Sequence, residues 1–351
     1  MNAFMMETYG LTDRFAALAG MYPELTACRI VSQEKGLYHL ASQYGEKMGE
    51  ISGKFRYQAA GSSDYPAVGD FVMADWNEGG HAVIRHILSR KSCFVRKAAG
   101  ESREEQIVAA NIDTVFVCMS LNQNYNLRRL ERYLAIAWDS GAVPVVVLTK
   151  ADLCDDLPAR IGEVSAAAMG ADVLITSAVA RDGYAQVLPY LSKGKTAAFL
   201  GSSGVGKSTL INCLLGEGRQ DTRQTGSEDK GRHTTTRREL IRLPGGAMVI
   251  DTPGMRELGM WDSDSGIDLA FAEIEEAAER CRFRDCTHTS EPGCAVRRGI
   301  EEGSISYDRW LSYRKLKMES AYAADSESYL AVKEKKFKEI AITNKNNRRR
   351  R

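Results

Sequence analysis

The sequence lacks the features that would assign it to a membrane, secreted or strongly basic class of protein. Its 351 residues carry 47 Lys and Arg against 46 Asp and Glu, so a net charge of +1 gives no whole-molecule attraction to nucleic acid. No apolar run approaches the roughly 18 residues of a membrane-spanning helix. The opening stretch, MNAFMMETYGLTDRF, does not have the basic-then-apolar order of a signal peptide. We therefore expect a soluble, cytoplasmic protein that does not bind membranes.

The eight cysteines do not have the spacing of a disulfide framework. Five are single residues in apolar stretches, at positions 28, 93, 118, 154 and 213, which is typical of reduced thiols in a cytosolic protein. The other three lie close together with a histidine, as Cys281, Cys286, His288 and Cys294. Three thiolates and one imidazole suit tetrahedral Zn²⁺, and four protein ligands predict a structural zinc ion. Cysteines grouped by coincidence are the alternative.

The hydrophobic pattern changes twice along the chain. From about residue 25 to 95, five short segments separated by turn residues predict a small β-barrel or sandwich, with a five-stranded OB-type barrel as one candidate. These segments are CRIVS, LYHLAS, EISGKFRY, DFVMADW and HAVIRHIL. After Asn111, uniformly apolar strands alternate with helical segments, which indicates a parallel sheet covered on both faces. RRELIRLPGGAMVIDT is instead typical of a hairpin, and the chain becomes helical and charged from about residue 267.

The stretch GSSGVGKS at 201–208 matches the phosphate-binding pattern G-x-x-x-x-G-K-[ST] in full. An apolar strand, TAAFL, precedes it and an apolar-periodic helix, STLINCLLG, follows it, so bound phosphate would lie at a helix N-terminus. Lys207 would reach the β and γ phosphates, and the Ser208 hydroxyl would bind Mg²⁺. A Gly/Ser-rich turn that matches by chance is the alternative. The predicted loop residues are Gly201, Ser202, Ser203, Gly204, Val205, Gly206, Lys207, Ser208 and Thr209.

Two further segments are typical of metal and γ-phosphate sensors. VIDTPG ends a strand with Asp251, which would help to hold Mg²⁺, and the Gly254 amide would contact the γ-phosphate. Between the loop and this strand lies HTTT, and a Thr hydroxyl that binds Mg²⁺ only with the γ-phosphate present is a common nucleotide sensor. We predict Thr236 for this role, with Thr234 and Thr235 as competitors. An ordinary Asp/Gly turn and plain strand sequence are the alternatives.

Two motifs predict that the base is guanine. In TKAD, the Asp152 carboxylate can accept from both the ring N–H and the exocyclic amine of guanine, whereas adenine offers no matching pair of donors. Thr149 begins this motif, and the Lys150 stem would lie along the base. In TSA, at the end of the next strand, Ser177 precedes Ala178, whose amide would meet the guanine carbonyl.

The order of these motifs is unusual. The guanine motifs at 149 and 177 precede the phosphate loop at 201, the Thr run at 234 and the Asp251 strand. In an ordinary GTP-binding domain the phosphate loop comes first. The sequence therefore predicts a circular permutation, in which the same site is assembled from a chain that is cut elsewhere.

These motifs resemble the circularly permuted ribosome small subunit-dependent GTPase A family, from YPAVGDFV through TKAD, GSSGVGKS, GRHTTT and DTPG to the Cys/His cluster. The resemblance implies a multidomain α/β protein: an OB-type barrel, a permuted P-loop GTPase domain with a doubly wound, mostly parallel sheet, and a helical zinc-binding domain. It also implies hydrolysis of GTP to GDP, late maturation of the small (30S) ribosomal subunit, stimulation by that particle and contact with its rRNA. The predicted segments are a lead-in (1–24), the barrel (25–98), the GTPase domain (99–265), the zinc domain (266–330) and a basic tail (331–351).

One catalytic residue of many GTPases is missing. A Gln often follows D-x-x-G and orients the attacking water, but Met255 stands at that position. His233, in the GRHTTT motif, is the predicted replacement, and a solvated loop histidine is the alternative. The predicted catalytic residues are therefore His233, Lys207 and Thr236.

The predicted binding partners rest on the family resemblance more than on the charge of the chain. Five arginines surround the Cys/His cluster and the chain ends in RRRR, which suits either rRNA contact or an ordinary solvated surface. We expect a monomer that binds GTP or GDP, Mg²⁺ and one Zn²⁺. The competing hypotheses are a P-loop ATPase or kinase, against which TKAD and TSA argue, and a nucleotide-regulated RNA-binding protein without significant turnover.

Overall fold

The computed structural model describes residues 3–34, 36–77, 79–97, 105–180, 182–216, 238–251 and 264–324. They fall into two compact units, Met1–Gly259 and Met260–Arg351. The predictions for His233, Thr234, Thr235, Thr236, Gly254 and Met255, and for the basic tail, lie outside the described residues. No helix in the described ranges is both long and apolar enough to span a bilayer. The five-segment division of the chain stays a prediction.

The first unit begins with two short helices and a closed five-stranded barrel. The strands follow the order β1-β2-β3-β5-β4, and β4 pairs back onto β1. All pairs are antiparallel except β3 with β5, which is the strand order of an OB-type barrel. The elements are α1 (Ala3–Thr8), α2 (Asp13–Ala19), β1 (Thr26–Glu34), β2 (Leu37–Ser42), β3 (Gly45–Ile51), α3 (Gly53–Gln58), β4 (Phe71–Asp75) and β5 (Ala82–Ile87).

The third barrel strand differs from the prediction. EISGKFRY was expected to be a strand, but β3 ends at Ile51 and the rest of that segment forms α3. Ser52 causes the change, because its hydroxyl accepts a hydrogen bond from the Phe55 backbone N–H (3.1 Å) and caps the helix. The strand instead extends upstream of the predicted segment and begins at Gly45, which follows a two-residue turn and has a φ of 117°.

The remainder of the first unit is a mixed sheet with helices. A hairpin of β6 with β7, which the sequence analysis missed, precedes a parallel run in the order β10-β9-β8-β11-β13, and β12 pairs antiparallel to β13. This confirms the predicted mostly parallel sheet and the predicted hairpin. The elements are β6 (Cys93–Lys97), β7 (Glu105–Ala110), β8 (Thr114–Ser120), α4 (Leu127–Asp139), β9 (Val143–Thr149), α5 (Leu157–Ala167), β10 (Asp172–Ile175), β11 (Thr196–Leu200), α6 (Lys207–Leu215), β12 (Arg238–Arg242) and β13 (Met248–Asp251).

The barrel and the mixed sheet share backbone hydrogen bonding. Barrel strand β1 pairs antiparallel with β12, with Ser32 opposite Glu239 and Gln33 opposite Arg238. The two sheets therefore form one 11-stranded sheet. Because β12 is the outermost strand of the mixed sheet, this pairing also covers an edge that would otherwise expose backbone donors and acceptors.

A buried arginine lies at this junction. Arg29 on β1 is 1% exposed and donates hydrogen bonds to the Tyr9 carbonyl (3.2 Å), the Asn111 carbonyl (3.5 Å) and the Thr196 hydroxyl (3.1 Å). Its guanidinium also lies 4.3 Å from the centroid of the Phe71 ring. Burial lowers the pKa of Arg29 to about 10, although Asp70 and Asp113 oppose that shift. One side chain thus joins the N-terminal helices, the barrel and the first residue of β11.

The second unit is helical. It consists of α7 (Asp264–Ala270), α8 (Ala272–Ala278), α9 (Ala295–Glu301) and α10 (Tyr307–Ala324). Ile267, Phe271 and Ile274 are fully buried. Arg309 on α10 donates hydrogen bonds to Glu273 and to the Ala270 carbonyl, and it stacks on the Phe271 ring at 4.6 Å. These contacts fasten the long helix to the two preceding helices.

We expect Arg29→Ala to lower the free energy of unfolding by about 3 kcal/mol, because it leaves a cavity and removes the donor from buried oxygen acceptors. Urea denaturation of the full chain measures this change. Arg85→Ala is the matched control, since Arg85 is an exposed barrel arginine paired with Asp75 and its loss should cost less than about 1 kcal/mol. Equal losses for the two variants would contradict the role assigned to Arg29.

Candidate nucleotide site and metal centre

The nucleotide motifs lie at one edge of the mixed sheet. Strands β8, β9, β10 and β11 are parallel neighbours, so the loops that follow them all leave from their carboxyl ends. That edge is where open α/β sheets bind their ligands. TKAD begins at the last residue of β9, TSA follows β10, and the phosphate loop follows β11.

The phosphate loop has the backbone conformation that its glycines permit. Gly201, Gly204 and Gly206 have φ values of 146°, 74° and 101°, a region that side-chain-bearing residues rarely adopt. A Cβ at Gly201 would lie 2.5 Å from the Cys118 carbonyl oxygen, so that position has no room for a side chain. Helix α6 begins at Lys207 and directs its N-terminus at the loop. This arrangement suits an anion.

Lys207 forms hydrogen bonds within its own loop. The Lys207 ammonium donates hydrogen bonds to the carbonyl oxygens of Gly201 (2.7 Å) and Ser202 (2.8 Å). The charged group therefore lies against the first two residues of the loop, where a phosphate oxygen would be a further acceptor for it.

The guanine motifs are joined by hydrogen bonds between neighbouring loops. The Ala151 N–H donates to the Thr176 carbonyl (3.2 Å), and the Ser177 hydroxyl donates to the Asp152 carboxylate (2.5 Å). Lys150 adopts a left-handed conformation (φ 57°) that turns the chain sharply after β9. Ser177 thereby fixes the orientation of the carboxylate that was predicted to read the base.

The guanine and phosphate motifs also touch each other. The buried Thr149 hydroxyl donates to the Val205 carbonyl in the phosphate loop, and Gly206 packs beside the same threonine. A non-glycine Cβ at Gly206 would lie 3.8 Å from the Thr149 side chain. The residue that begins TKAD therefore sets the distance between the two halves of the site.

The structure brings most of the predicted nucleotide residues together. Thr149, Lys150, Asp152, Ser177, Ala178 and the loop residues 201–209 surround one sheet edge. Asp251 is the last residue of β13, which pairs directly with β11, so its backbone lies at the same edge one strand away. The predicted roles of all these residues stay predictions.

One neighbour of the phosphate loop was missed by the sequence analysis. The Asn124 side-chain amide donates a hydrogen bond to the Ser202 hydroxyl (3.0 Å). Asn124 lies in the loop between β8 and α4. The polar stretch NQN directly after an apolar strand was a usable signal, but its relevance depends on β8 lying next to β11.

The second unit contains the Cys/His cluster that was predicted to bind zinc. The ligand atoms of Cys281, Cys286, His288 and Cys294 all lie within 4.8 Å of one another. The Cys281 and Cys294 sulfurs are 3.9 Å apart and lie 3.6 and 3.5 Å from His288 Nδ1. Bond lengths of about 2.3 Å to sulfur and 2.0 Å to nitrogen give tetrahedral edges of roughly 3.8 and 3.5 Å. The donor set and its spacing therefore fit Zn²⁺.

The surroundings favour the metal-binding protonation state at two of the ligands, Cys281 and His288, and oppose it at Cys286. Burial opposes ionisation of Cys281, but hydrogen bonds from the backbone N–H groups of Ala295 and Val296 outweigh it and lower the pKa of that thiol. Burial lowers the pKa of His288, which keeps its imidazole neutral. Burial raises the pKa of Cys286 to about 11, a cost that a bound divalent cation would remove.

We predict that the purified protein holds one zinc ion per chain. Cys294→Ser should weaken zinc binding by more than about a hundredfold, because a hydroxyl is a much poorer zinc ligand than a thiolate. Elemental analysis and competition with a zinc-chelating dye measure the two quantities. Cys213→Ser, at an exposed cysteine on α6, is the control and should leave both unchanged. Equal zinc content in the two variants would refute the assignment.

Comparison with known proteins agrees with this geometry. The family model described as RsgA GTPase matches residues 87–261. A Small ribosomal subunit biogenesis GTPase RsgA 2 of Lactiplantibacillus plantarum is 48% identical over 315 residues, covering 90% of this chain and 89% of the relative. The Small ribosomal subunit biogenesis GTPase RsgA of Methanosarcina acetivorans is 43% identical over 340 residues, covering 95% and 90%.

Solved structures show the same architecture. The crystal structure of YjeQ from Thermotoga maritima has a TM-score of 0.64 at 27% identity and covers 83% of this chain and 97% of that one. The structure of YloQ, described as a circularly permuted GTPase, has a TM-score of 0.60 at 24% identity, covers 83% and 93%, and supports the fold. The predicted family, fold class and circular permutation are thus confirmed: the chain belongs to the RsgA GTPase family.

Proposed function

We propose that this GTPase hydrolyses GTP to GDP and phosphate with Mg²⁺ and acts in late maturation of the small ribosomal subunit. The observation that carries the nucleotide chemistry is the direct contact of Thr149, in the guanine motif, with Val205 in the phosphate loop. The relatives' names, which specify small ribosomal subunit biogenesis, support the cellular role.

Guanine would be recognised by the loops after β9 and β10. Asp152, oriented by Ser177, accepts from the ring N–H and the exocyclic amine. The Ala178 amide donates to the guanine carbonyl, and the Lys150 stem covers one face of the base. The Ser177–Asp152 hydrogen bond makes the carboxylate rigid before the base arrives, which lowers the entropic cost of binding.

Phosphate chemistry would take place at the loop before α6. The loop amides and Lys207 would hold the β and γ phosphates, and Ser208, Thr236 and Asp251 would hold Mg²⁺, which would supply positive charge to the phosphates during hydrolysis. The Gly254 amide would contact the γ-phosphate. His233 would position the attacking water, since Met255 stands where many GTPases have a glutamine, and a ribosomal particle that fixes this histidine would stimulate turnover.

The zinc ion would have a structural role. Its four ligands lie between the end of α8 and the start of α9, so the ion would join two short helices of seven residues each. The arginines near the cluster would then contact rRNA phosphates as a rigid set. These residues are Arg280, Arg282, Arg284, Arg297 and Arg298. We propose that the protein works as a monomer in the cytoplasm, where the small subunit matures.

Phosphate release from GTP and from ATP, with and without purified small ribosomal subunits, tests the proposal. We expect slow turnover of GTP and no turnover of ATP, and a large increase in GTP turnover when the particle is added. Equal use of ATP would contradict the guanine assignment. A GTP turnover rate that the particle does not change would agree with the GTPase assignment but contradict the ribosomal role.

We predict that Asp152→Asn reverses the base preference. The amide group presents a donor where the carboxylate accepts, so affinity for GDP should fall by about a hundredfold or more, and affinity for xanthosine diphosphate, which carries a carbonyl at that position, should rise. Titration with both nucleotides measures the change. Asp155→Asn, at an exposed acid in the same loop, is the matched control and should keep the preference for GDP. An unchanged preference in Asp152→Asn would count against the assignment.

A further inference from the structure

The strand between the two halves of the nucleotide site is β8. The guanine motif follows β9 and the phosphate loop follows β11, and β8 pairs with both. The loop that follows β8, residues 121–126, is called the Asn loop here because it contains three asparagines. Its first residue, Leu121, donates its backbone N–H to the Thr149 carbonyl (2.9 Å). On its other side the loop reaches the phosphate loop through Asn124 and Ser202.

The Asn loop is held in one conformation by its own side chains. The Asn122 side-chain oxygen accepts hydrogen bonds from the Ser120 hydroxyl (2.9 Å) and the Asn124 backbone N–H (3.0 Å). Asn126 caps α4 by accepting from the Arg129 backbone N–H (2.9 Å). Local hydrogen bonds of this kind replace the ladder that ends with β8 and make the loop a defined turn.

The orientation of the Asn124 amide is fixed by an arginine. The Arg129 guanidinium donates to the Asn124 side-chain oxygen (2.8 Å) and also to the Asn124 backbone carbonyl. An arginine has donors only, so the amide must present its oxygen to Arg129 and its NH₂ group to Ser202. The Ser202 hydroxyl is therefore an acceptor in this contact, and its own proton points elsewhere.

Ser202 is held by two contacts that come from different side chains. Its carbonyl accepts from the Lys207 ammonium (2.8 Å), whose three donors the loop carbonyls and an incoming phosphate would share. Its hydroxyl accepts from Asn124, which does not compete with phosphate for Lys207. Asn124 can thus hold the start of the phosphate loop in place without using a donor of the lysine.

We propose that Asn124 is a positioning residue for nucleotide binding: held by Arg129, it fixes Ser202 and thereby the phosphate loop relative to the guanine motif. This inference rests on the proposed nucleotide function of the site. Asn124 lies 78 residues before Ser202 in the sequence and belongs to none of the nucleotide motifs. The proposal therefore gives the Asn loop a part in nucleotide binding that those motifs do not include.

The test is a double-mutant cycle in the full-length protein. Asn124→Ala should weaken GDP binding by about threefold to tenfold, the effect of one hydrogen bond between neutral groups. Ser202→Ala should give a similar loss, and adding Asn124→Ala to Ser202→Ala should give no further loss. Gln123→Ala, at the exposed neighbour in the same loop, is the matched control and should bind GDP as the wild type does.

A second readout separates positioning from general damage to the fold. The ratio of GDP to inosine diphosphate affinity reports on Asp152, since inosine lacks the exocyclic amine. We expect this ratio to be unchanged in Asn124→Ala while both affinities fall together. Unaltered GDP binding in Asn124→Ala, an equal loss in the Ser202→Ala background, or a collapsed ratio would each overturn the inference. A wild-type protein that fails to bind GDP would instead overturn the proposed function itself.

Discussion

The nucleotide site depends on the parallel pairing of β8 with β9 and with β11. This pairing brings the carboxyl ends of three strands to one edge. The described nucleotide residues other than Asp251 lie at the end of β9, in the loops that follow β9, β10 and β11, or in the first turn of α6. Adjacency in a sheet does not depend on the order of strands in the chain. A circularly permuted sequence can therefore assemble the same site, provided that each loop keeps its own conformation, as the glycines of the phosphate loop ensure here.

The barrel contributes to the rigidity of this sheet. Arg29 bonds to Thr196, the first residue of β11, and the phosphate loop begins directly after the last residue of that strand. The pairing of β1 with β12 covers the opposite end of the mixed sheet from β10. A buried arginine is expensive to desolvate, and the hydrogen bonds of Arg29 to three oxygen acceptors offset part of that cost. The barrel is thus hydrogen-bonded to the strand that precedes the phosphate loop.

The sequence predicts features whose signals are local. The phosphate loop, the apolar strands and the hairpin at Pro244–Gly246 each carry their cause within a few residues. The segment EISGKFRY was wrongly predicted to be a strand because its apolar and polar residues alternate. The Ser52 cap instead favours a helix after Ile51. The bond from Asn124 to Ser202 could not be predicted, because it requires knowing that β8 and β11 are neighbours. Arg29 is the same case: its partners lie in three segments that are distant in the chain.

The hydrogen bonds of Lys207 separate the contacts of the phosphate loop that depend on the lysine from those that do not. The ammonium stabilises the loop by bonding to two of its carbonyls, Gly201 and Ser202. A phosphate oxygen is a stronger acceptor than a neutral carbonyl, so a bound nucleotide would compete with these carbonyls for the three donors of the lysine. The contacts from Thr149 to Val205 and from Asn124 to Ser202 do not involve the lysine and lie outside that competition. In the proposed function they would keep the loop amides directed at the phosphates, which is the preorganisation that tight phosphate binding requires.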